Sequence, residues 1–291
     1  MNTGTESVAV IDGDIVAYRC AATAENDSEH IAKYRADDML ERILSQTAAQ
    51  GFEIYLSGGD NFRKRLCPDY KANREGKPRP KWLEHCREHL VREWGSRITA
   101  GHEADDELAM ASVRLGDRGI ICSIDKDLYQ IPGRHYNFVK EEWREITQSE
   151  GLYNFYWHVL VGDSADNIKG ARGIGPKKAT RLLSSCDTDS LFFNLCRGAF
   201  GDDYNYILTG TLIHLWRKPL DLWNPPALQM VDELRGHHLR LEQALLSGYT
   251  AMTGAEAIPS TEPTGQESSG SLALGRNPDS SKTETSPAPW I

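Results

Sequence analysis

The chain has 291 residues, 40% of them hydrophobic, and a formal net charge of −9. That length and mixed composition describe a soluble globular protein with a sizeable core and exclude a fibre. No run of about 20 apolar residues and no basic start leading into an apolar stretch is present, which predicts a cytoplasmic protein with no membrane partner.

Short β-branched runs alternate with helical patterns, the arrangement of an α/β protein with a mainly parallel sheet. Val8-Ala9-Val10-Ile11 reads as a buried strand that ends on Asp12, with Asp14 as an accessory acid. A helix is predicted over 36–49, followed by a strand at Ile54-Tyr55-Leu56 with Asp60 just beyond it. Between 61 and 92 there are ten bases against four acids, so the acidic average conceals a basic segment. A helix is predicted over 80–94, and Gly76, Pro78 and Pro80 interrupt the run before it. The next helix, 103–115, opens in HEADDELA and carries Glu103, Asp105 and Asp106. The run Ile120-Ile121-Cys122-Ser123-Ile124 is a third buried strand and leads into Asp125 and Asp127. LYNFYWHVL (152–160) lies in a helix predicted over 149–161, where its aromatic spacing suits packing on a core better than stacking on bases. His102 and His158 read as structural.

Residues 162–179, GDSADNIKGARGIGPKKA, carry Asp163 and Asp166 three positions apart and then a glycine-rich turn. Gly170, Gly173 and Gly175 free backbone amides to approach an anion. Lys169, Arg172, Lys177 and Lys178 surround them, and Ile168–Ser185 contains five bases and no acid. GIGPKKA superficially matches part of a dinucleotide-binding fingerprint. That motif needs a strand before the glycines, whereas a helix precedes them here, so a helix–hairpin–helix grip on a nucleic-acid backbone fits better. A helix follows at 176–184. LWRKPLDLW (215–223) is expected to pack its Leu and Trp residues onto the body. From Gly254 to Ile291 Ser, Thr, Pro, Gly and Glu dominate, the composition of a disordered tail. The expected organisation is an α/β core over 1–160 that includes a basic region at 61–95, a helical region over 161–253, and the tail. The six cysteines (Cys20, Cys67, Cys86, Cys122, Cys186 and Cys196) show no CxxC pairing and no zinc-like spacing with histidine, and read as reduced thiols.

Open α/β sheets bind ligands beyond the carboxyl ends of their strands. An isolated acid is most simply a solvated charge, and capping explains Glu103 or Asp105 well. Neither accounts for Asp12, Asp60, Glu103, Asp105, Asp106, Asp125, Asp127, Asp163 and Asp166 falling at strand ends and helix starts. Gathered in one crevice, these carboxylates would repel one another unless cations neutralised them. Oxygen ligands without nearby His or Cys select Mg²⁺ or Mn²⁺. Two such ions about 4 Å apart would suit hydrolysis of a phosphodiester by activated water.

VIDGD at 10–14, Asp60 with YKANR at 70–74, EADD at 103–106, SIDKDL at 123–128 and the 162–179 stretch occur in order, and together they resemble the structure-specific 5′-nucleases. That family comprises flap endonucleases and 5′→3′ exonucleases, and the compact basic segment is closest in style to the bacteriophage enzymes. The resemblance implies a helical arch at the basic region and a helix–hairpin–helix beyond it. Asp12, Asp60, Glu103, Asp105 and Asp106 would mainly build one metal site, and Asp125, Asp127, Asp163 and Asp166 the other. Asp125 and Asp163 are thus placed at the chemistry. Lys71 and Arg74 would meet the scissile phosphate, with Tyr70 as a base-stacking candidate. Arg63, Lys64, Arg65, Lys77, Arg79 and Lys81 are expected to supply general electrostatic attraction from the surface. Lys169, Arg172, Gly173, Gly175, Lys177 and Lys178 would hold duplex DNA, with K⁺ at the hairpin. The implied enzyme is a monomeric phage or bacterial 5′→3′ exonuclease or flap endonuclease acting in DNA replication, repair or recombination. It would leave 5′-phosphate and 3′-hydroxyl ends on DNA carrying a 5′ end or flap, or on an RNA–DNA hybrid. The rival readings are a catalytically silent branched-DNA-binding protein and a PIN-like ribonuclease.

Overall fold

A computed structural model describes residues 6–224, 236 and 239–247. Met1–Ala257 is one compact unit and Ile258–Ile291 another, so the described residues all belong to the first. The tail expected at 254–291 lies outside them.

The apolar runs form β1 (Val8–Asp12), β2 (Gly51–Leu56) and β4 (Gly119–Cys122), the central strands of a six-stranded sheet. β3 (Arg97–Ile98), β5 (Gly133–Asn137) and β6 (Glu142–Ile146) complete it in the order β3-β2-β1-β4-β5-β6. All pairs are parallel except β5 with β6. The register sets Asp12 beside Tyr55 and Ile11 beside Cys122, which brings the ends of β1, β2 and β4 level along one edge. Side chains alternate across the sheet, as the two-residue period of a strand requires. Ala9, Ile11, Ile54, Leu56, Ile120 and Cys122 pack on one face, and Val10, Tyr55 and Ile121 on the other.

Helices α1 (Gly13–Thr23), α2 (Glu29–Thr47) and α4 (Leu83–Trp94) cover the first face, and α5 (Ala104–Leu115) the second. α1 goes beyond the sequence expectation, and α2 begins seven residues before the expected 36. Ser28 caps α2 by accepting from Ile31 N, and Ala32, Ala36, Leu40, Ile43 and Thr47 then make a buried stripe at helical spacing. α4 starts at Leu83 rather than 80, because Lys81 donates its backbone N–H to Glu25 Oε2 at 3.0 Å and lies outside the helix.

In place of a helical arch, residues 61–82 contain only the short helix α3 (Phe62–Leu66) and a 3₁₀ turn at Ala72–Arg74. α6 (Gln148–Val161) buries Phe155, Tyr156, Val159 and Leu160, as its aromatic spacing predicts. It leads into the ribbon β7 (Gly162–Asp163) and β8 (Ile168–Lys169), and then into α7 (Pro176–Leu183), α8 (Asp189–Phe200) and α9 (Asp203–Ile213). These helices share one core, which Trp223 joins. Trp216 stacks on Phe62 with ring centroids 4.7 Å apart, as expected of LWRKPLDLW. No helix among the described residues is long and apolar enough to cross a membrane.

Candidate active site

The carboxyl edge of the sheet gathers acid from five elements. Asp12 closes β1 and caps α1, accepting from Ile15 N at 3.0 Å, and it is only 3% exposed. Its other oxygen accepts from Ser123 Oγ at 2.7 Å. The same hydroxyl accepts from Asp125 N at 3.0 Å, and Asp125 in turn accepts from Asp127 N at 2.8 Å. One serine therefore links the strand ends of β1 and β4, holding the Asp12 carboxylate and the Asp125 main chain. Asp163 ends β7, where its carboxylate accepts from Ala165 N at 2.7 Å and shapes the turn that presents Asp166. Asp14 lies to the side, accepting from Ser57 N at 2.8 Å and pairing with Arg87.

These groups feel one another. Burial, together with Asp14 and Asp125, pushes Asp12 up to about 7 against the pull of its hydrogen bonds. Burial raises Asp105 well above the usual carboxylate range, and the charges of Asp12, Asp125 and Glu103 add to it. Burial also brings Asp127 to about 7, with Asp125, Asp163 and Asp166 contributing. Asp125 thus couples two groups of acids, one around Asp12, Asp105 and Glu103 and the other around Asp127, Asp163 and Asp166.

Cations counter part of this repulsion. Lys71 Nζ lies 2.5 Å from Glu103 Oε1 and 3.4 Å from Asp166 Oδ2, and Arg74 pairs with Asp166 from the outer side. Burial alone would raise Glu103, but Lys71 and Arg63 outweigh it and hold the group below its ordinary value. Lys71 itself is shifted upward: burial opposes its charge, and Glu103 and Asp166 more than compensate.

A family model for the 5′–3′ exonuclease, N-terminal resolvase-like domain, matches residues 7–156, just over half of the chain. The chain belongs to the 5′–3′ exonuclease family. It is 31% identical over 202 residues to a flap endonuclease Xni of Shewanella sp. (strain W3-18-1), covering 64% of this chain and 77% of that protein. It is 28% identical over 211 residues to the thermostable DNA polymerase I of Thermus thermophilus, covering 65% of this chain but 25% of the polymerase. The fold is also that of the T5 D15 protein co-crystallised with metal ions, with a TM-score of 0.61 and 15% identity over 82% of this chain and 100% of the other. The protein is accordingly a 5′-nuclease.

Within this 5′-nuclease several side chains do work that differs from the sequence expectation. Tyr70 is 3% exposed and cannot stack on a base. Its hydroxyl lies 2.7 Å from Glu103 Oε2 and 3.0 Å from Asp166 Oδ2, so it holds two carboxylates in place. Arg63, expected at the surface, is 2% exposed. It donates to Asp106 at 2.6 and 2.8 Å and to the carbonyls of Leu212 and His214 at 2.8 Å each. Asp106 is completely buried and also accepts from Glu103 N at 3.0 Å and Trp216 N at 3.1 Å. Four donors saturate its carboxylate, which leaves no lone pair aimed at the crevice beside Asp105. Burial would raise Asp106, but the Arg63 guanidinium holds it low. Asp60 is half exposed and pairs with Arg65 at 2.6 Å rather than with any crevice acid. His158, read from sequence as structural, has Nδ1 3.2 Å from Asp127 Oδ1. Ser123 opens the SIDKDL motif, but the motif does not reveal its link to Asp12, and nothing in the sequence brings His158 to Asp127. His102 does behave structurally, meeting Glu107 at 2.8 Å and stacking on Trp216.

As the side chains stand, no three His, Cys, Asp or Glu residues among those described converge closely enough to hold a metal ion. Lys71, Arg74, Tyr70 and Ser123 hold the carboxylates instead. The donor set still fits a hard divalent cation, since it is oxygen-only, and an ion would relieve Asp12, Asp105 and Asp127, which burial and then neighbouring carboxylates raise.

The hairpin lies directly beyond Asp163. Gly162, at φ 75°, and Gly170 sit back to back: a Cβ on Gly162 would lie 2.3 Å from Gly170 N, and one on Gly170 would lie 2.5 Å from Gly162 N. Gly173 and Gly175 are open to solvent, and Gly175 caps α7 ahead of Pro176. Lys177 and Lys178 lie in the first turn of α7 and are exposed, as are Lys169 and Arg172 earlier in the chain, and a helix start carrying cations suits a phosphate.

Proposed function

We propose that this 5′-nuclease hydrolyses DNA phosphodiester bonds with two divalent ions, Mg²⁺ or Mn²⁺, leaving 5′-phosphate and 3′-hydroxyl ends. The observation that carries the reading is the partly buried, oxygen-only set joined through Asp125, with Lys71 inside it. Asp12, Asp105, Asp125 and Glu103 would hold one ion, and Asp127, Asp163 and Asp166 the other. There a pair of ions would supply an activated water and neutralise charge on a leaving oxygen.

The chain's own residues orient and neutralise. Ser123 fixes Asp12 and Asp125, and Tyr70 fixes Glu103 and Asp166. Lys71 and Arg74 present positive charge where a scissile phosphate would develop negative charge. Asp106 serves through Arg63 by anchoring α5, while Asp60 with Arg65 forms part of the rim. Gly173, Gly175 and α7 hold the duplex backbone, reinforced by Lys169, Arg172, Lys177 and Lys178 and by K⁺ at the hairpin. The substrate is duplex DNA with a 5′ end or flap, and the work belongs to replication, repair or recombination in the cytoplasm of a bacterium or of a phage-infected host.

Asp125→Asn or Asp163→Asn should abolish Mg²⁺-dependent cleavage of a 5′-labelled duplex while leaving binding, measured by gel shift, largely intact. Undiminished cleavage would remove both residues from the ion-binding set.

A further inference from the structure

His158 stands outside every sequence motif and still faces the crevice. It occupies the last turn of α6, and its carbonyl accepts from Gly162 N, so the residue that closes the helix also fixes the start of β7. Asn154, one turn earlier on the same helical face, donates Nδ2 to Tyr129 O at 3.0 Å. From the α7 side, Thr180 Oγ1 accepts from Trp157 Nε1 at 3.1 Å. α6 is thereby held against the turn Asp127–Gln130, and His158 Nδ1 is delivered to 3.2 Å from Asp127 Oδ1.

That distance would allow a hydrogen bond. Among the described residues, however, none joins the two side chains, and neither the His158 ring nor the Asp127 carboxylate has another hydrogen-bond partner. Nδ1 is therefore not aimed at the oxygen beside it. The contrast with His102 is direct, since that ring bonds Glu107 at 2.8 Å. It also sets Asp127 apart from its neighbours: Asp163 accepts from Ala165 N, and Asp166 from Tyr70. A ring nitrogen and a carboxylate oxygen lying side by side without bonding each other are disposed as adjacent ligands of one ion. Octahedral bonds of about 2.1 Å put adjacent donors about 3.0 Å apart, close to the separation found. Burial pushes the His158 ring below its ordinary value while the charges of Asp163 and Asp125 pull the other way, so both acids act on it.

We propose that His158 Nδ1 is a ligand of the ion assigned above to Asp127, Asp163 and Asp166. That site then mixes nitrogen with oxygen, while the set around Asp12 stays oxygen-only. Imidazole shifts a site toward transition metals, whereas Mg²⁺ is held through oxygen. The two positions should consequently differ in which ion they favour. This rests on the two-ion reading above.

Electron spin-echo envelope modulation of the full chain loaded with Mn²⁺ reads a directly bonded imidazole nitrogen. Its coupling is expected in the parent and should vanish in His158→Gln. Bound Mn²⁺ without that coupling, or a coupling that survives in the variant, would overturn the inference and leave the nuclease reading intact; the ring would then serve only to steady Asp127. Calorimetric titration should show the ratio of Co²⁺ to Mg²⁺ affinity falling about tenfold in His158→Gln, and an unchanged ratio would also overturn the inference. A parent chain that binds no Mn²⁺ would overturn the two-ion reading and the inference with it.

Discussion

Replacing Asp106 by asparagine separates an ion ligand from a structural anchor. Asp106 is fully buried and accepts four hydrogen bonds, two of them from the Arg63 guanidinium. An amide leaves Arg63 buried without its counter-charge and turns an NH₂ toward one of those donors. Breaking a buried ion pair from one side costs about 3–5 kcal/mol, a large share of the roughly 5–15 kcal/mol that holds a typical protein folded. At about 2–4 °C per kcal/mol for a chain of this size, the melting temperature should fall by about 6–20 °C. Circular dichroism would follow the melt, and a Mg²⁺ titration of cleavage well below the new melting temperature would read the ion requirement, which should stay near that of the parent. The double variant Arg63→Met, Asp106→Leu should recover part of the stability, because it leaves neither charge unpaired. A variant with parental stability and a steeply raised Mg²⁺ requirement would refute the reasoning and return Asp106 to the ligand set.

Removing both hairpin lysines in Lys177→Ala, Lys178→Ala should weaken duplex binding and flatten the salt dependence of log K by about two, near 0.9 per phosphate contact. Fluorescence anisotropy across a salt series measures it, and an unchanged slope with slower cleavage of saturating DNA would place these lysines at the chemistry instead. Gly210→Ala tests the seat of Trp223, because the added Cβ would lie 1.9 Å from the indole Cζ3. Overpacking there should cost about 1–3 kcal/mol. A urea midpoint equal to the parent's would show that the indole is not held against α9.

Much of the site can be read from the sequence because its chemistry sits at ends of elements. The acids after β1 and β4 follow β-branched runs, and the parallel register levels them without further instruction. Asp105 and Asp106 show where that reading stops. Neighbours on a helix point about 100° apart, so both cannot face the same crevice. Helical geometry thus warns that one of the pair must turn elsewhere. It does not say that the other's partner is Arg63, because the carbonyls that complete the Arg63 shell come from Leu212 and His214, 149 and 151 residues away. Tyr70 misled for a similar reason. It lies in a basic run that reads as solvated, and only the fold shows that the run is pressed against the 164–167 turn. β5 and β6 passed unnoticed because GRHYN and EWREI mix polar and apolar residues without a clean alternation. α1 follows an aspartate already claimed by β1, so the cap and the strand end are one residue.

The back-to-back contact of Gly162 and Gly170 lies between the last crevice acids and the hairpin. It is made of main chain alone, so no side chain sets the separation between the place of cutting and the place of holding. Residues at either end can vary to change affinity or rate while that interval stays constant. On the proposed reading, phosphates held at the hairpin would be counted off against the cut by a ruler of fixed length, and even the smallest lengthening of either glycine would force its two halves apart.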